Sequence, residues 1–260
     1  MNYWEIKTEN TIKVLEMLRT YTDKPVVQHD IKELASDSES SYASSYLGVC
    51  FEDSDCIDVY LSEKSPEETF IHEIFHQILE YEGFPQVSIN EDFVEDYIDP
   101  LISGNGQRVH YVLRRLRNDF SSTIGHPEVY KRMRSFPLNF EAYFEIEYNK
   151  KLERFQKGMH LQKSDEQYYF YRQQDILIGC DYLLWGDQSK KLLKKLSEYY
   201  PDTHSSFLSL HKDIVEIGFA TPETAFQSAK LTKEHIIKYG KRRGLKNKYN
   251  RLWEALEIRL

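Results

Sequence analysis

The chain has 260 residues, enough for one large domain or two modest ones, with 19 Tyr, 14 Phe and a formal net charge of -8. It contains no run of eighteen apolar residues to span a bilayer, no basic and apolar secretory leader in Met1 to Glu5, and three cysteines (Cys50, Cys56, Cys180) too few and scattered for a disulfide framework. A protein of the reducing cytoplasm, away from membranes, is the expectation.

The net charge conceals an asymmetry. Residues 1–100 hold 6 Lys and Arg against 23 Asp and Glu, whereas residues 101–260 hold 28 against 19. Two segments with different surfaces are expected, whether an acidic face docks on a basic one or attracts a charged partner.

In chain order, residues 10–20 space Ile12, Leu15 and Leu18 at helical intervals. Pro25-Val26-Val27 reads as a short strand, and residues 36–45 as a Ser-rich loop. Gly48-Val49-Cys50-Phe51 and residues 56–61 look like paired strands around an acidic turn at 52–55. A helix follows, with Ser65 as N-cap, Pro66 in its first turn and Glu68 three residues after the cap, running through Glu82 to a stop at Gly83. Ile71, Ile74, Phe75 and Ile78 form its apolar stripe. A second helix is expected over 89–98. From Gln107 onward the pattern is almost wholly helical, broken at Gly125-His126-Pro127, Phe136-Pro137, Gly186-Asp187, Tyr200-Pro201-Asp202 and residues 218–222. The domains expected are 1–103 and 104–260.

The informative string is Ile71-His72-Glu73-Ile74-Phe75-His76. Histidines at i and i+4 leave a helix on one face about a turn apart, which suits two imidazoles on a tetrahedral zinc ion. Glu73, roughly 100° further round the helix, is placed to take a proton from water rather than to ligate. This is the mechanics of H-E-x-x-H hydrolases.

The preceding strand, this helix and a following helix opening Asn90-Glu91-Asp92-Phe93-Val94 resemble the gluzincin metallopeptidases. Residues 91–98 are also similar to the E-x-x-A-N-x-F-A stretch of ImmA/IrrE-type peptidases, with Val94 and Glu95 where that pattern has Ala and Asn. The resemblance spans residues 56–100. It implies that Glu91 is the third zinc ligand, and that Glu95, one turn later, orients a zinc imidazole. The residues themselves leave this open. Ser88 to Glu91 also reads as a capping box, and in that case Glu95, deeper along the helix, becomes the ligand. Asp92, Asp96 and Asp99 trail behind.

His110 and His126 offer further nitrogen donors, although a lone histidine in a helical segment is more often structural. Tyr97 and Tyr111 are among many tyrosines able to stabilise an oxyanion. The basic run at 239–248 reads as a solvated connection rather than a nucleic-acid surface.

The reading is an α+β protein: a zincin-like N-terminal segment, then a mainly helical C-terminal region over the cleft. It implies a Zn2+-dependent endopeptidase acting on a protein or peptide substrate, with Glu73 catalytic and His72, His76 and Glu91 as ligands. The alternatives are a zinc-bound regulatory or binding protein without chemistry and, further off, a nucleic-acid-binding regulator.

Overall fold

The computed structural model describes residues 7–36, 48–63, 66–98, 106–157, 166–183, 189–242 and 248–260. The helices are α1 (Glu9–Leu18), α2 (Pro66–Tyr81), α3 (Glu91–Phe93), α4 (Gly106–Met133), α5 (Phe140–Lys157), α6 (Glu166–Leu183), α7 (Ser189–Tyr199), α8 (Pro201–Ile217), α9 (Pro222–Arg242) and α10 (Lys248–Glu254). The strands are β1 (Val26–Asp30), β2 (Gly48–Glu52), β3 (Ile57–Leu61), β4 (Gln86–Ile89) and β5 (Leu256–Arg259). The fold is α+β with a mainly helical C-terminal region. It divides into two compact units, each discontinuous in sequence: residues 1–82 with 129–150, and residues 83–128 with 151–260. The boundary expected between 103 and 104 lies outside the described residues, as do the helix break at 186–187 and the Ser65 cap.

In the first unit β1, β3 and β2 form a sheet in that order, with β1 parallel and β2 antiparallel to β3. Strand alternation sends Ile57, Val59 and Leu61 into the core, where each is fully buried, and turns Asp58 and Tyr60 to the opposite face. The β2–β3 turn closes through Asp53 N–H donating to the Cys56 carbonyl, and Asp53 Oδ1 accepts the backbone N–H of Asp55 and Cys56.

Helix α2 packs on this sheet with Ile71, Ile74, Phe75 and Ile78 buried, and the chain leaves it at Gly83 with φ 81, a left-handed position that favours glycine. Close approach of helix and sheet depends on Gly48: a Cβ there would collide with Thr69 Cγ2 and sit 3.3 Å from Glu73 Cγ. Glu52, at the other end of β2, accepts from Lys24 Nζ at 2.6 Å, Gln77 Nε2 at 2.7 Å and the Tyr81 hydroxyl at 2.6 Å, tying sheet to helix.

Helix α1 begins with a reciprocal cap between Thr8 and Thr11 and docks its start on Glu67 through Thr8 and Asn10. Its buried face is Thr11, Val14 and Leu18, while Ile12 is 52% exposed. Thr11 tolerates burial because its hydroxyl donates to the Thr8 carbonyl.

The helix break expected at Gly125-His126-Pro127 does not occur. Helix α4 runs unbroken through it, with Pro127 inside. Proline removes one backbone donor and crowds the preceding turn; burial of Ile124, His126, Val129, Tyr130 and Met133 around it offsets that cost.

In the second unit α6 is the central helix, packed against α7, α8, α9 and α10. Residues 172–180 are buried on all sides rather than along a stripe. The region after Gln107 is almost wholly helical as expected; the exception is at the C-terminus, where β5 pairs antiparallel with β4 in the register Gln86↔Arg259 to Ile89↔Leu256. The same pairing corrects the helix expected from Ile89: that residue ends β4, and α3 starts at Glu91 and passes into a π-helical stretch, Val94–Ile98.

Candidate metal centre

Helix α2 carries His72 and His76 one turn apart on one face, as their spacing requires. Their Nε2 atoms stand 3.1 Å apart with the rings edge-on at 72°. His72 is buried beneath Tyr130 and Tyr143, with ring centroids 5.4 and 5.9 Å away, while His76 is half-buried. Tyr130 lies in the last turns of α4, and His126 precedes it by one turn on the same unbroken helix. One ring nitrogen each of His72, His76 and His126 lies within 4.8 Å of the others, so the three can hold a metal ion.

Glu73 lies between the two histidines in sequence and faces β2 at Gly48. Part of its side chain reaches the surface, but its carboxyl is set deep among protein atoms. Burial, with a smaller contribution from the negative charge of Glu147, pushes its pKa up to about 8.

The remaining sequence candidates lie on other elements. Glu91 is the exposed first residue of α3, and Asn90 is the cap, its side chain accepting from Phe93 N–H at 2.8 Å. Glu95, with Asp92 and Asp96, is exposed, and Tyr97 lies tilted against Phe93 with ring centroids 4.9 Å apart. None of these belongs to a metal-capable group among the described residues. Asp99 lies outside the described residues. His110 is half-buried on α4.

His126, a member of the metal-capable group, is the histidine that sequence reasoning ranked low. Reading Gly125-His126-Pro127 as a break hid its place on a helix, one turn from the buried Tyr130. Among the described residues no helix is long and apolar enough to cross a membrane. Comparisons with protein-family models, curated proteins and solved structures find no match to this chain.

Proposed function

We propose that this chain is a zinc-dependent peptidase of zincin-like type. In this reading His72, His76 and His126 hold the ion, and Glu73 is the general base that cleaves a peptide bond of a protein substrate. The carrying observation is the facing pair of Nε2 atoms on α2, 3.1 Å apart, with a third imidazole in reach. Two nitrogens on a tetrahedral zinc with bonds of about 2.0 Å are separated by about 3.3 Å, so the residues fit the ion with little adjustment. Three protein ligands leave a fourth position open, as catalytic rather than structural sites do.

When bound, zinc supplies a Lewis acid that polarises a carbonyl and acidifies a water. Glu73 contributes the proton transfers, accepting a proton at its carboxylate and returning it to the leaving amine. Its buried setting gives it the proton affinity to hold that proton between the two steps, and a neighbouring dication favours the carboxylate form at the start. Tyr130 and Tyr143 enclose His72 and help exclude water from that side.

Two measurements test the reading. Elemental analysis of purified protein should find about one zinc per chain, lost in His72→Ala and His76→Ala. Comparing His126→Ala with Glu91→Ala then separates the ligand favoured by geometry from the one implied by the gluzincin resemblance. Glu73→Gln should retain zinc and melting temperature while peptide products from the host cell's own proteins fall by roughly 10²–10⁴-fold. Identical product patterns for wild type and Glu73→Gln would leave the metal-bound regulatory protein as the better reading.

A further inference from the structure

The sheet face turned away from α2 carries a second and chemically different set of ligand atoms. Positions 56 and 58 are two residues apart at and just before β3, so their side chains share a face, and Asp53 folds back over them from the turn. Cys56 Sγ lies 3.7 Å from Asp53 Oδ2 and 3.4 Å from Asp58 Oδ2, and one ligand atom from each of the three residues lies within 4.8 Å of the others. An ion bound at about 2.3 Å to sulfur and about 2.0 Å to oxygen in tetrahedral geometry separates the two by about 3.5 Å. The observed separations bracket that value.

A thiol has one proton and satisfies one carboxylate. Two carboxylates drawn to the same sulfur gain most if a cation replaces the proton. The parallel neighbour β1 adds a supporting chain. His29 Nε2 is 2.7 Å from Asp58 Oδ1, its Nδ1 is 3.6 Å from Glu33 Oε2, and its ring stacks on Tyr60 with centroids 4.6 Å apart. Hydrogen-bonded partners of this kind orient the carboxylates that bind metals. Asp53 Oδ1 is occupied by the turn's N–H groups, which leaves Oδ2 for the ion; Lys24 Nζ lies nearby but bonds the Asp53 carbonyl and Glu52.

The arrangement is wrong for a nucleophilic cysteine, because Asp58 stands between the sulfur and His29. Desolvation and the neighbouring carboxylates also push the Cys56 thiol up to about 11.

We propose that Asp53, Cys56 and Asp58 form a second metal site, with His29 orienting Asp58, for a divalent cation that accepts thiolate and carboxylate together. Zn2+ and Cd2+ have that character, whereas Mg2+ and Ca2+ avoid sulfur.

Cobalt(II) titration of the full-length protein reads this site directly, because only a thiolate ligand produces a sulfur-to-cobalt charge-transfer band and the histidine centre has no sulfur. The expected result is a band saturating at one thiolate site per chain, abolished in Cys56→Ser and retained in Cys50→Ser and Cys180→Ser. His29→Ala should weaken the titration by about 10–100-fold, and His29→Gln, which can still donate to Asp58, should recover much of that loss. Cys56 is half-exposed, so serine there leaves the fold intact, which circular dichroism verifies. No band in the wild type at saturating cobalt, or an undiminished band in Cys56→Ser, overturns the proposal. Neither outcome bears on the histidine centre.

Discussion

The two units bury polar side chains in different ways. In the first, His72 and His76 on α2 turn their Nε2 atoms toward each other 3.1 Å apart, and burial raises the pKa of the adjoining Glu73 carboxyl to about 8. In the second, charge is neutralised internally. Arg172 Nη2 stands 2.8 Å from Asp175 Oδ2, off the hydrogen-bond axis, with both side chains 1% exposed, and the guanidinium lies 3.2 Å from the centroid of the Tyr200 ring and 5.1 Å from that of Tyr168. Beside it Gln173 Nε2 donates to the Ile236 carbonyl and to Asn250 Oδ1. A buried pair that neutralises itself holds a core in register, whereas donors that converge without neutralising one another are suited to an external ion.

The largest expected effect tests the second unit. Arg172→Ala leaves Asp175 buried without its counter-charge and should cost about 3–5 kcal/mol in urea unfolding, while Arg172→Met with Asp175→Leu should lose much less. Equal losses would mean that Arg172 acts through packing on Tyr200 rather than through charge.

A smaller effect tests the close packing of helix on sheet in the first unit. Gly48→Ala drives a methyl into Thr69 and should cost about 1–3 kcal/mol. Thr69→Ser removes the colliding methyl but keeps the hydroxyl, so the double variant should recover most of the loss. Failure to recover would place the strain in the β2 backbone instead.

The smallest concerns acid sensitivity. Burial raises the Glu82 pKa, but paired hydrogen bonds from Arg132 at 2.9 and 2.6 Å and one from Tyr21 at 2.8 Å outweigh it, so the folded value lies below the ordinary 4.5. A carboxylate depressed in the folded state contributes stability above its unfolded pKa and loses it as pH falls through the folded one. Glu82→Gln should therefore cost about 1–2 kcal/mol at pH 7, and its difference from wild type should close below pH 4.5. A difference that persists unchanged into that range would make the contact steric rather than ionic.

Much of the first unit was legible because its determinants are local. Alternation over 56–61 and the apolar spacing 71, 74, 75, 78 each specify a face within a few residues. The second unit was less so. β4 and β5 are four-residue strands, each unremarkable alone, and Asn90 reaches across 167 residues to Glu257. Even in the first unit the spacing of Ile12, Leu15 and Leu18 indicated a helix without fixing its inward face, because Thr11 hides its hydroxyl in its own cap and only packing chooses between neighbouring faces.

By itself the sequence determined the helix that holds His72, Glu73 and His76 and the geometry of the two imidazoles, since i to i+4 spacing on a helix leaves little else free. Tertiary structure alone decided the setting of His126. Whether His126 lay at a break or on a helix depended on whether burial around Pro127 offset the backbone bond that proline removes, and that balance is struck by neighbours distant in sequence.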